Sequence, residues 1–209
     1  MVSKKWEGVE SSIGNTPICK PPHLKPLTFA NRHIVRPSGT PSSMLDFLEP
    51  DTFNAANAGT VVHKIIEKCW KNLNESACIQ KWIDVYDVPN QWKNRIVKMA
   101  QAFQKSPHYQ KVIEGAEAYF EYDYTYVNTE GRRVYGSIDL LYFDEESKGW
   151  VIVDFKTTAL NGLTHEEVMK MHGYDKQLNE YACYVESVQG KGSVTNTEVC
   201  WLWELAKNQ

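Results

Sequence analysis

No apolar run in this sequence approaches the length of a membrane span, and the opening segment MVSKKWEGVE has no apolar h-region. Neither a membrane helix nor a secretory signal is therefore expected. Basic charge is not in excess either: 23 Lys and Arg face 26 Asp and Glu, a formal net charge of −3. That excludes a chain coated in positive charge and leaves room only for local basic patches. Cysteine is sparse and unpatterned. Cys19, Cys69, Cys78, Cys183 and Cys200 lie far apart with no CxxC pair, which argues against a disulfide framework, a zinc ribbon and a four-cysteine iron–sulfur cluster. A reducing, cytoplasmic compartment is the simplest reading, or a host cytoplasm for a viral chain. There is no GxxxxGK[ST], so the chain carries no helicase motor.

Proline is nearly missing after residue 50. Pro17, Pro21, Pro22, Pro26, Pro37, Pro41 and Pro50 precede that point, and only Pro89 and Pro107 follow it. Residues 1–50 thus read as a Pro-rich irregular arm with one short helical turn around Ser42–Leu48, and residues 51–209 as the folded domain. At 209 residues and 42% apolar content, the chain can bury one α/β core.

Within that domain, AGTVVHKIIEKCWKNL predicts a helix from Asn57, capped by Thr60, with Val62, Ile65, Ile66, Cys69 and Leu73 at helical spacing. Trp92, Ile96, Met99 and Phe103 predict a second helix that Pro107 stops. AEAYFEYDYTYV, VYGSIDLLYF and WVIVDFKT read as three strands joined by turns, HGYDKQLNEYACYVESV as a helix and TEVCWLWEL as a last strand. The central strands are not cleanly two-faced, so the expected fold is α/β, a central sheet covered by helices on both sides.

Asp139 and Asp154 sit inside apolar strands, and Lys156 shares a strand face with Asp154. A buried carboxylate costs several kcal/mol unless it is paired or bound to a cation. With Phe143 opposite Trp150, Asp139 falls opposite Asp154 and Ser137 opposite Lys156. The face then runs Tyr135, Ser137, Asp139, Leu141, Phe143 and continues through Trp150, Ile152, Asp154 and Lys156. Like charges about 5 Å apart repel, and a hard divalent cation such as Mg²⁺ or Mn²⁺ removes the conflict. Shifting the register by one residue, Phe143 against Gly149, puts the carboxylates on opposite faces. An Asp–Lys ion pair at a strand end satisfies the same pattern without a metal. His63 and Glu67 share a helix face, as do Gln177 and Tyr181, and Glu117 and Glu121 share one face of the first strand. Each is also what an ordinary solvated or partly buried position looks like.

GTVVHKIIE, GSIDLL, VIVDFKT and QLNEY, in this order, resemble the RecB-type branch of the PD-(D/E)XK nuclease superfamily, above all the nuclease domains of RecB and AddA helicase–nucleases and related stand-alone exonucleases. The resemblance covers about residues 58–185. It implies a restriction-endonuclease-like core with a mixed β-sheet flanked by helices. It makes His63, Asp139 and Asp154 metal ligands, assisted by the Phe155 carbonyl, with Lys156 the catalytic lysine. Gln177 and Tyr181 become the QxxxY pair near the substrate strand, and Glu117 the acidic residue opening the first core strand, with Glu121 its competitor. The cofactor implied is Mg²⁺ or Mn²⁺; the cysteines of iron–sulfur relatives have no counterpart, so no such cluster is expected. The partner implied is DNA, with a helicase or recombination protein alongside it and no membrane.

The reaction expected is phosphodiester hydrolysis by an exonuclease of DNA recombination, repair or phage-type processing. A structure-specific or restriction-type endonuclease, and a catalytically idle DNA-binding or scaffold module, remain alternatives on the same fold. No acidic residue lies between Asp87 and Glu114, a window that holds Lys93, Arg95, Lys98, Lys105 and Lys111. Lys93, Lys98 and Lys105 are the candidates for backbone contact, against the alternative of a solvated helix face. Arg132 and Arg133 form a second basic candidate.

Overall fold

A computed structural model describes residues 53–127 and 131–207. The proline-rich arm and the expected helical turn at Ser42–Leu48 lie outside the described residues. Helix α1 (Ala55–Cys69) is started by Asn54, whose side chain accepts the Ala56 and Asn57 amides while Asn57 reaches back to the Asn54 amide. Thr60 is therefore not the cap; it sits inside the helix and returns its hydroxyl to the Ala56 carbonyl. One stripe of α1, from Ala58 through Val61, Val62, Ile65 and Ile66 to Cys69, is buried.

Helices α2 (Ser76–Val85), α3 (Asn90–Ala102) and α4 (Pro107–Ile113) follow. The second helix ends before Pro107, as expected, and Pro107 also begins α4, because Ser106 Oγ accepts the Tyr109 amide and proline's missing N–H costs nothing in a first turn. A disulfide joins Cys69, at the end of α1, to Cys78 in the first turn of α2. This corrects the reading of the cysteines as unpaired: a turn through Trp70–Asn72 doubles the chain back, which sequence distance alone did not reveal.

Among the described residues the sheet holds four strands in the order β1-β2-β3-β4: β1 (Ala118–Val127), β2 (Arg133–Asp144), β3 (Gly149–Lys156) and β4 (Val194–Trp201). The first three run antiparallel. Strand β4 returns parallel to β3 after helices α5 (His165–His172) and α6 (Tyr174–Gln189), so the sheet is mixed. TEVCWLWEL, expected as strand throughout, bends after Trp201 into helix α7 (Leu202–Lys207), which packs on α3. This is the α/β, restriction-endonuclease-like architecture expected from the sequence.

Leu140, Tyr142, Val151, Val153 and Phe155 face a core shared with α1 and α3. Leu141, Phe143, Trp150 and Ile152 face a second core with Leu178, Tyr181 and Val185 of α6. Phe143 pairs with Trp150, the register that brings the ends bearing Asp139 and Asp154 together.

The alternation does not run unbroken. Tyr119 and Tyr122 lie on the same side of the sheet, as do Ile138 and Leu141, although each pair is an odd step apart. The rung between Phe120–Leu140 and Tyr122–Ile138 is the one missing from the ladder, and its two residues are Glu121 and Asp139. Glu121 adopts a left-handed backbone, φ 47°. Both strands turn over at this level, as at a paired bulge. The single face expected from Tyr135 to Phe143 is thus interrupted at Asp139, and the β2–β3 ladder ends at Leu140–Val153, short of the expected Asp139–Asp154 and Ser137–Lys156 pairs.

Candidate metal centre

The turned-over rung aims two carboxylates at α1. His63 Nδ1 lies 3.3 Å from Asp139 Oδ1 and 3.4 Å from Glu121 Oε1. These three ligand atoms fall within 4.8 Å of one another, and His63, Glu121 and Asp139 form the one such group among the described residues. Gly59 lets α1 come this close, because a Cβ there would meet Thr157 Oγ1 at 3.0 Å, just past the end of β3. On the other side of the ring, Nε2 is 3.0 Å from the Phe155 carbonyl. A carbonyl only accepts, so Nε2 carries a proton; Nδ1 faces the carboxylates, donating to them while the ring is charged and offering a lone pair to a cation once that proton leaves. The Phe155 carbonyl, expected beside the metal, is engaged by His63.

Charge is poorly balanced here. Burial pulls His63 down, but Asp139 and Glu121 outweigh it and raise the imidazole to about 10. Burial raises Asp139, yet His63, Lys156 and the Phe155 amide together hold it below the usual carboxylate range. Asp139 Oδ2 accepts that amide at 2.6 Å, so its side chain takes over where the β2–β3 ladder stops.

Asp154 is only 1% exposed, and burial next to Asp139 pushes it up to about 7. Its Oδ2 forms an ion pair with Lys156 Nζ at 2.6 Å, yet among the described residues neither carboxylate oxygen has a hydrogen-bond partner, and Oδ1 has no ion-pair partner either. An orphaned buried carboxylate oxygen is what a hard cation satisfies. The donor set fits one: the carboxylate oxygens suit a hard divalent cation, and an imidazole nitrogen joins them.

Lys156 Nζ donates to Gln177 Oε1 at 3.2 Å and lies 4.2 Å from the centre of the Tyr174 ring. Gln177 Nε2 in turn donates to the Tyr181 hydroxyl. Gln177 and Tyr181 are both buried, so the pair read from QLNEY reaches the lysine from α6.

Other candidates stand apart. Glu117 precedes β1 and accepts from the Tyr119 hydroxyl, while Glu121 is the acidic residue brought to His63. Glu67, one turn after His63, is held by Lys64 and Lys68. Lys93 and Lys98 lie on α3, about 140° apart around its axis. Lys105 follows in a single 3₁₀ turn. Lys111 is committed to Asp144 and Glu146, 3.0 and 2.8 Å away. A cleft of about 440 Å³ runs beside Glu121, between Glu67, Trp70, Tyr119 and Tyr122.

No curated protein matches the chain. A family model does, across residues 26–208, beginning within the stretch read as an arm. That span takes in the rung, the lysine and the helices that reach them, and it makes this chain a member of the PD-(D/E)XK nuclease superfamily.

Proposed function

We propose that this chain is a RecB/AddA-type, Mg²⁺- or Mn²⁺-dependent deoxyribonuclease, an exonuclease of DNA recombination, repair or phage-type processing. The observation that carries the reading is the meeting of His63, Glu121 and Asp139 within 4.8 Å, beside a buried Asp154 that has an oxygen to spare. His63, Asp139, Asp154 and Glu121 would hold the cation. Bound there, it would lower the pKa of a water and stabilise charge on the scissile phosphate.

The remaining chemistry belongs to the chain. Lys156, steered by Asp154 and Gln177, orients the attacking water or offsets negative charge building on the phosphate. His63 keeps its Nδ1 side toward the carboxylates because Phe155 holds Nε2. Lys93, Lys98 and Lys105 are proposed to contact the DNA backbone. The Pro-rich residues 1–50 are proposed as an arm appended to the nuclease domain at 51–209, with a helicase or recombination protein as partner. The proposed setting is a cytoplasm, where the Cys69–Cys78 bond is under reducing pressure.

Purified protein is expected to degrade linear DNA with added Mg²⁺ or Mn²⁺ and to spare closed circles. Asp154→Ala and Asp139→Asn should abolish this in folded protein, and Lys156→Ala should slow it on the order of 100-fold. Cut circles would make it an endonuclease. Full activity of the aspartate variants would sink the site, and an inert, folded wild type would leave a binding module.

A further inference from the structure

We propose that Tyr174 is a positioning residue for Lys156, holding its ammonium against the face of a neutral ring. The proposal rests on the nuclease reading and adds a residue which that reading does not use. A lysine side chain has many rotamers and ends in a point charge that any acceptor can pull aside. Lys156 has two polar anchors, Asp154 Oδ2 at 2.6 Å and Gln177 Oε1 at 3.2 Å. The Tyr174 ring, 4.2 Å from Nζ, supplies a third contact, and that ring is 8% exposed.

The third contact differs in kind. Asp154 belongs both to the lysine and to the proposed cation, so its hold on Nζ weakens as its charge is shared. A ring face attracts the ammonium through its quadrupole and carries no net charge. It therefore keeps its grip whatever happens at Asp154. A carboxylate in its place would add another anion to a cluster already too negative.

The fold gives Tyr174 little freedom. Gly173 adopts φ 68° and ψ 29°, a left-handed conformation that ends α5 and opens α6 on Tyr174. Tyr174, Gln177 and Tyr181 then follow at i, i+3 and i+7 on one buried helix face. His172 stacks on the Tyr174 ring at 5.3 Å and 15°, and Trp201 packs near it at 6.2 Å. Trp201 is itself the ladder partner of Lys156. Ring and ammonium are thus fixed from both sides.

The test replaces Tyr174 by Phe, by Leu and by 3,4,5-trifluorophenylalanine, which keeps the ring's shape and drains its quadrupole. Steady-state cleavage of linear DNA is read together with ¹H–¹³C spectra of the metal-free protein, in which the ring current shifts the Lys156 ε-methylene upfield. Phe should preserve both kcat and the shift. The trifluoro ring should lower kcat on the order of tenfold, with KM within about twofold, at unchanged melting temperature. Leu should abolish the shift. Equal kcat for the Phe and trifluoro proteins, or an ε-methylene unmoved by Leu, overturns the proposal. If Leu fails to fold, the shape-preserving trifluoro protein still decides. A wild type that shows the shift yet cleaves nothing condemns the nuclease reading; an active wild type with indifferent variants condemns Tyr174 alone.

Discussion

Glu117 and Glu121 are four positions apart, and the backbone sends them to different places. Glu121 bends into the left-handed region, at a cost of about 1–2 kcal/mol for a residue with a side chain, and in return reaches His63. Glu117 stays with Tyr119. Isothermal titration with Mn²⁺ is expected to show Glu121→Gln binding on the order of tenfold more weakly, and Glu117→Gln binding like wild type. Equal losses would return Glu117 to the site. Sequence alternation favoured neither residue decisively, because a period of two assumes an unbroken strand. Asp139, Asp154 and Lys156 were legible for the opposite reason: a charge inside an apolar strand stands out wherever the strand bends.

Among the elements, α1, α3, α6 and the three antiparallel strands were written plainly in the periodicity of their apolar residues. The short helices α2, α4, α5 and α7 were not, since six to ten residues give too few turns for a stripe to show. α2 also depends on a cross-link that sequence spacing concealed. The Cys69–Cys78 bond closes a short loop and clips α2 to the helix bearing His63. Loop-closure entropy assigns such a bond roughly 2–3 kcal/mol. Reduction, or Cys78→Ser, should therefore lower the melting temperature by roughly 4–12 °C. A melt indifferent to reductant would mean that packing of Ile79 and Ile83 alone holds α2 in place.

At the scale of the whole molecule, His108 of α4 ties three parts together. Its Nδ1 lies 3.2 Å from the Tyr142 hydroxyl of β2, and its Nε2 lies 3.2 Å from Glu198 Oε2 of β4. Burial pushes this imidazole below the ordinary histidine range, more strongly than Glu198 lifts it. The unfolded chain takes up the proton near pH 6.5, and the folded chain only at lower pH. The stability His108 contributes is thus complete above that value and is lost as pH falls toward the folded pKa. Urea midpoints compared at about pH 7.5 and 5.5 should converge in His108→Gln relative to wild type; an unchanged gap would assign the acid sensitivity elsewhere. The turned-over rung also bears on how copies of this chain meet. Among the described residues β1 is an outer strand, ten residues long and rich in tyrosine, the kind of edge on which a second chain adds its own strand. The left-handed Glu121 breaks the straight run of donors and acceptors near its middle, and Glu121 and Asp123 set negative charge along it. The distortion that gathers the ligands also guards the molecule against edge-to-edge aggregation.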